Sequence, residues 1–94
     1  MGFSDITSRE AIIKAVEECD LLGEEDFLKM HGFGRATKYF LVFEEKHYAS
    51  KAIVGVAHGY QFPYQGPLKP PEFSGGKATV QRKLEELGFY VYVR

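Results

Sequence analysis

Hydrophobic residues near the N-terminus recur every three or four positions, which predicts an amphipathic helix. This apolar stripe consists of Ile12, Val16, Cys19 and Leu22. Thr7-Ser-Arg-Glu10 has the spacing of a capping box, so the helix is expected to begin near Ser8. Gly23 is a natural stop for it. A second, short helix is expected to follow, with three acidic residues in its first turn and an end at Gly32.

The pattern then changes to one that is typical of strands. The run Tyr39-Phe-Leu-Val-Phe43 is rich in strand-forming residues, Glu44-Glu-Lys46 would form a turn, and His47 and Tyr48 a short return strand. Residues 89–93 would form the last strand. We expect it to pair with the first one in a small antiparallel sheet.

Two more helices are predicted between these strands. One runs from Lys51 to about Tyr60, with Ser50 placed to cap it. The other follows Ser74-Gly-Gly76 and stops at Gly88.

Residues 61–73 contain all four prolines and several aromatic residues, so an ordered surface loop is expected there. Together these elements predict an α+β fold, in which a small antiparallel sheet of about three strands packs with about four helices. The chain of 94 residues is long enough for one core, and residues 1–94 are interpreted as a single domain.

The composition is typical of a globular protein, with 45% hydrophobic and 27% charged residues. The one cysteine, Cys19, excludes an internal disulfide and a cysteine-based zinc site, and it suits a reducing compartment. No run approaches the roughly eighteen apolar residues that span a bilayer, and no basic segment followed by an apolar run opens the chain. A cytoplasmic location without a membrane partner is the resulting expectation.

Charge is unevenly distributed along the chain, although the formal net charge is only −1. Residues 1–28 contain two Lys/Arg and eight Asp/Glu, a net −6, whereas residues 29–83 contain nine and three, a net +6. If the fold keeps these segments apart, the basic one would attract polyanions. Aromatic residues alternate with its cations, as on surfaces that contact phosphates and stack on unpaired bases.

Lys51, Gly55 and His58 share one face of the third predicted helix. If that face is exposed, the glycine between a cation and an imidazole would let a phosphate approach the backbone. His58 could then hydrogen-bond a phosphate or a base. Two structural alternatives stay open. Gly55 could only allow another element to pack tightly, and His58 could be a partly buried, hydrogen-bonded imidazole.

The turn Ser74-Gly-Gly-Lys77 is a second candidate phosphate contact, since free backbone N–H groups at a helix start can face an anion. It lacks the full pattern of a nucleotide-binding loop, so neither ATP nor GTP is expected, and Ser74 could equally be an N-cap. Arg35 and Lys38 would add phosphate contacts, and Tyr60 or Tyr64 could stack on a base. The candidate DNA-contacting residues are Arg35, Lys38, Lys51, Gly55, His58, Tyr60, Ser74, Gly75, Gly76 and Lys77.

Little in the sequence points to catalysis. His31, His47 and His58 lie on different predicted elements, and no His-Glu-x-x-His arrangement occurs. Most carboxylates lie in the N-terminal helices, and no nucleophile has an evident base beside it. The chain is therefore interpreted as non-enzymatic, with no cofactor and no metal site.

Several segments resemble one known family in their order and spacing. They are Tyr48-Ala-Ser-Lys-Ala-Ile-Val-Gly-Val-Ala-His-Gly-Tyr60, Gly66-Pro-Leu68, Phe73-Ser-Gly-Gly76 and Leu87-Gly-Phe89. These segments resemble the small N-terminal head domain that precedes the HNH nucleases of the McrA type, which are modification-dependent restriction enzymes. The resemblance extends from about Ile6 to Val93.

The resemblance implies a DNA-associated accessory or reader domain, with modified DNA as one candidate target. In such enzymes cleavage belongs to a separate HNH domain, so a nuclease domain in a parent chain is an implied partner. The resemblance transfers no site residues, and the candidate contacts rest on charge and spacing. The alternative is a protein interaction module that uses the acidic first helix and the loop of residues 61–73.

Overall fold

In a computed structural model, which describes residues 2–94, two helices follow one another near the N-terminus. The first helix, α1, spans Arg9–Leu22, and the second, α2, spans Glu24–His31. The helix begins near Ser8, as the sequence predicted. Its N-cap is Ser8 and not Thr7, the first residue of the expected capping box, and the Ser8 side chain accepts a hydrogen bond from the Ala11 N–H. Gly23 lies between the helices at a φ of +88°, a conformation that glycine adopts without strain.

Three strands form one antiparallel sheet, as the sequence predicted. They are β1 (Tyr39–Phe43), β2 (Lys46–Ala49) and β3 (Tyr90–Val93), in the order β2-β1-β3. Two residues with positive φ, Glu44 and Glu45, form the tight turn between β1 and β2. The predicted α+β fold, with a three-stranded antiparallel sheet and helices, is confirmed.

Helix α3 (Ser50–Gln61) lies at the centre of the fold and is buried over most of its surface. It packs against α1 on one side and against β1 and β2 on another. Its N-cap is Ala49, so the expected capping by Ser50 was wrong. β2 extends through Ala49, and the buried Ser50 hydroxyl instead donates a hydrogen bond to the Tyr39 carbonyl, 3.0 Å away.

The chain from α3 to β3 contains less regular helix than expected. A 3-10 turn at Pro70–Glu72 lies within the proline-rich loop, which begins after Gln61. The last helical segment starts as a π-helical turn, Lys77–Gln81, and continues as a short helix, α4 (Arg82–Glu86). Its N-cap is Gly76 rather than Ser74.

Cys19 is buried in the core on α1, and only 5% of its surface is exposed. Burial, reinforced by the negative charges of Glu24, Asp20 and Glu18, raises the pKa of this thiol to about 11. Since the thiolate is the reactive form, we expect the native thiol at pH 8 to react with a disulfide reagent at least about 100-fold more slowly than in the unfolded chain. The measurement is the rate of thiol modification with and without denaturant. Equal rates would contradict the buried placement.

Within residues 2–94, every helix is too short or too polar to cross a membrane.

Candidate nucleic-acid interface

Four of the candidate residues line one surface groove of about 380 Å³. Arg35 and Lys38 reach it from the loop that precedes β1, Lys51 from the first turn of α3, and Gly75 from the turn before the π-helical segment. These positions are up to 40 residues apart in the sequence. The fold therefore concentrates the positive charge of the middle segment at one place.

The groove is electropositive because its lining contains three cations and no carboxylate. Arg35 and Lys38 are exposed, and among residues 2–94 none of the three cations forms an ion pair. The first turn of α3 also lines the groove, so the positive end of the helix dipole lies beside the cations. An anion such as a phosphate is the ligand that this arrangement favours.

The Lys51 side chain is held against the Ser74–Gly76 turn. A Cβ atom at Gly75 would lie only 3.0 Å from its Cδ, so the glycine lets the aliphatic stem lie across the turn. The ammonium nitrogen stands 5.1 Å from the centre of the Phe73 ring, a favourable cation–π distance. The charge is thereby positioned at the groove without losing its capacity to bind an anion.

The predicted exposed line on α3 was wrong at two of its three positions, because Gly55 and His58 are buried. A Cβ atom at Gly55 would lie 2.7 Å from the Phe33 ring and 2.9 Å from the Leu68 carbonyl oxygen. Gly55 thus has the structural role left open above, since it lets the loop pack onto the helix.

His58 is only 1% exposed and also has a structural role. Its Nδ1 donates a hydrogen bond to the Gly66 carbonyl, 2.8 Å away, which ties α3 to the proline-rich loop. Its Nε2 has no partner in the described part of the chain. Neither His58 nor Gly55 presents a surface that DNA could contact.

The sequence matches the family described as "ScoMcrA-like, N-terminal head domain" over residues 4–93. The chain belongs to this family. The head domain is also similar to part of a solved structure, that of the Type IV phosphorothioation-dependent restriction endonuclease ScoMcrA, with 32% identity and a TM-score of 0.68. The match covers 95% of this chain and 13% of that enzyme, so the chain corresponds to a small part of its length. No curated protein gives a significant match.

Tyr60 of the head domain lies at the far end of α3, about 14 Å along the helix axis from Lys51. Its hydroxyl donates a hydrogen bond to Glu18 Oε1, 2.6 Å away, and the other Glu18 oxygen contacts His31. The bond to this carboxylate is the main cause that raises the Tyr60 pKa to about 12. Tyr60 therefore faces the acidic α1 and is separate from the groove.

The Ser74–Lys77 turn of the head domain contributes less to the groove than the sequence suggested. The Gly76 N–H donates to the Ser74 side chain at 3.3 Å, so it is not free for an anion. The Thr79 hydroxyl donates to the Ser74 carbonyl at 2.7 Å and fixes the turn from the other side. Only Gly75 of this turn lines the groove, while Ser74 and Lys77 are exposed outside its lining.

Sequence reasoning missed two polar residues of the groove. Thr37 lines it between Arg35 and Lys38, and Ser50 lines it at the start of α3. The predicted capping role of Ser50 placed it near a helix start, and that position is itself a sequence signal for an anion site. Nothing in the local pattern around Thr37 distinguishes it from an ordinary loop residue.

Proposed function

We propose that this head domain is a non-catalytic DNA-binding module, which serves as an accessory or reader domain of a modification-dependent restriction endonuclease or of a stand-alone relative. The observation that carries the proposal is the groove, where Arg35, Lys38 and Lys51 meet the first turn of α3 and no carboxylate is part of the lining. Lys51 would hold a phosphate beside the helix start, and the two exposed cations would bind neighbouring phosphates.

The family supports DNA as the partner, because the similar solved enzyme is a phosphorothioation-dependent restriction endonuclease. In a phosphorothioate, sulfur replaces a non-bridging phosphate oxygen, so a groove that binds phosphates would contact the modification directly. Under this proposal any cleavage belongs to a separate nuclease domain of a longer chain. A cytoplasmic location is part of the proposal, since DNA and a buried free thiol are both compatible with that compartment.

We expect duplex binding to weaken steeply with salt, because each neutralised phosphate releases counterions. Three phosphate contacts correspond to a slope of about −2.7 in a plot of log K against log salt concentration. The measurement is fluorescence anisotropy with matched duplexes, unmodified, cytosine-methylated, hydroxymethylated and phosphorothioated, over a salt series. A preference for one of the modified duplexes would identify a reader.

Single substitutions test whether the cations of the groove cause this salt dependence. Arg35→Ala should reduce its magnitude by about 0.9, the contribution of one phosphate contact. Lys14→Ala is the matched control, because Lys14 is an exposed cation on α1 that is paired with Glu10. If the two variants have equal slopes, the groove is not the phosphate-binding site. If the domain binds no duplex at low salt, the DNA-binding proposal is wrong.

A protein interaction module is the second candidate. Two large apolar side chains are exposed on the acidic helices, Leu21 at 85% on α1 and Met30 at 64% on α2. Tyr64 in the proline-rich loop is fully exposed as well. Such side chains are favourable anchors for a partner domain. This candidate becomes the first choice if the domain fails to bind every duplex at low salt.

A further inference from the structure

The sheet has a second face that carries aromatic rings toward solvent. Leu41 and Val91 point into the core, so their neighbours on β1 and β3 point away from it. On β3 these outward residues are Tyr90 and Tyr92, which are 65% and 41% exposed. A contiguous exposed patch of such side chains is more informative than a single one, because patches of this kind are often interaction sites.

The rings on this face are in contact with one another. Phe40 on β1 lies directly opposite Tyr92 on β3, and their ring centres are 6.5 Å apart. His47 reaches across from β2, and its ring is stacked on Tyr92 at 5.4 Å with an angle of 21° between the planes. Because β1 lies between β2 and β3, the rings from the two outer strands meet above the central one. The result is a contiguous cluster of rings held by a rigid sheet, in which one face of the Tyr92 ring lies against His47.

This aromatic face is continuous with the basic groove. The Arg94 N–H donates a hydrogen bond to the Lys38 carbonyl at 2.7 Å, and the Lys38 side chain lines the groove. The Arg94 guanidinium stands 5.2 Å from the centre of the Phe40 ring. Ala49, which pairs with Phe40 in the sheet, also lines the groove. A strand bound by its phosphates in the groove would therefore have the aromatic face beside it.

We propose that the aromatic face, formed by Phe40, His47, Tyr90, Tyr92 and Arg94, is a stacking platform for unpaired DNA bases. This inference rests on the proposed function, because the groove supplies the phosphate contacts. Aromatic rings on a sheet beside a cationic track are the chemistry that binds single strands, since every base presents a π face. The arginine adds a cation that can stack on a base or contact a phosphate. Bases inside an intact duplex cannot reach the platform, so its ligand is a single strand, a gap or an extruded base.

The test compares three labelled probes on the 94-residue chain by fluorescence anisotropy at one low salt concentration. The probes are a single-stranded 12-mer, an abasic 12-mer with the same number of phosphates, and a blunt duplex. The variants are Tyr92→Ala and Tyr92→Leu, of which the second keeps apolar bulk on the sheet but removes the ring. Tyr64→Ala is the control, because Tyr64 is a fully exposed tyrosine in the loop that follows α3.

We expect the single strand to bind at least about fivefold more tightly than the abasic strand, which is the lower end of one base–aromatic stack. Both Tyr92 variants should lose this preference and bind the abasic strand and the duplex as the parent does. Tyr64→Ala should keep the preference.

Three outcomes would overturn the platform. If the single and abasic strands bind with equal affinity, the stacking platform is wrong, whereas phosphate binding in the groove still stands. If the chain binds none of the three probes, both phosphate binding in the groove and base stacking on the platform are wrong. Self-association that Tyr92→Leu abolishes, measured by sedimentation, would show that the aromatic face joins two copies of the chain.

Discussion

Replacing Lys38 and Lys51 together by glutamate is expected to lower the affinity for duplex DNA by about 10² to 10³ at low salt. A unit charge about 4 Å from a phosphate contributes about 1 kcal/mol even in water, so each reversal from attraction to repulsion changes the binding free energy by about 2 kcal/mol. Both side chains line the same carboxylate-free groove, and their effects should therefore combine. The stability should change little, because neither lysine forms an ion pair in the described part of the chain. The cation–π contact that Lys51 loses is offset by the favourable position of a glutamate in the first turn of α3.

The matched control is Lys14→Glu with Arg82→Glu, which changes the net charge by the same amount at exposed positions on α1 and α4. Anisotropy at several salt concentrations gives the affinities, and protection of the Cys19 thiol verifies that each variant is folded. An equal loss in the control would mean that only the net charge of the domain matters. In that case the groove would have no specific role.

Replacing Gly55 by alanine is expected to lower the free energy of unfolding by about 2 kcal/mol, although alanine is the better helix former. Helix propensity favours the substitution by about 1 kcal/mol. The added Cβ would however lie 2.7 Å from the Phe33 ring and 2.9 Å from the Leu68 carbonyl oxygen. The Leu68 N–H also donates to the Gly55 carbonyl at 2.9 Å, so the loop backbone cannot move away without losing this bond. Overpacking costs about 1 to 3 kcal/mol, and two contacts below 3.0 Å place this substitution at the upper end, about 3 kcal/mol, which exceeds the gain by about 2 kcal/mol.

Thermal unfolding followed by circular dichroism measures this effect, with an expected fall in Tm of about 8 to 16 °C for a domain of this size. Gly34→Ala is the control, because nothing lies within 4 Å of a Cβ built there. Its stability should change by less than about 0.5 kcal/mol. A stabilised Gly55→Ala variant would show that helix propensity decides at this position and that the loop does not pack on α3 there.

The sequence alone predicted most of the elements and their order. The apolar spacing in α1, the run of strand formers in β1 and the glycines at positions 23 and 32 are local signals, and each acts within a few residues. Errors of one or two residues arose where tertiary contacts compete with local ones. Ser50 is the clearest case, because its hydroxyl bonds the Tyr39 carbonyl of a neighbouring strand instead of capping its own helix.

The sequence by itself also determined the charge of the middle segment and the family resemblance, since both depend only on residue identity and order. Which cations meet was decided by the tertiary structure, because Arg35 and Lys38 come from the loop before β1 and Lys51 from α3, and only packing brings these segments together. Packing also decided which side of α3 is buried. Helical spacing shows that Lys51, Gly55 and His58 share a face, but the loop that covers Gly55 and His58 is a long-range partner, and no local pattern encodes its position.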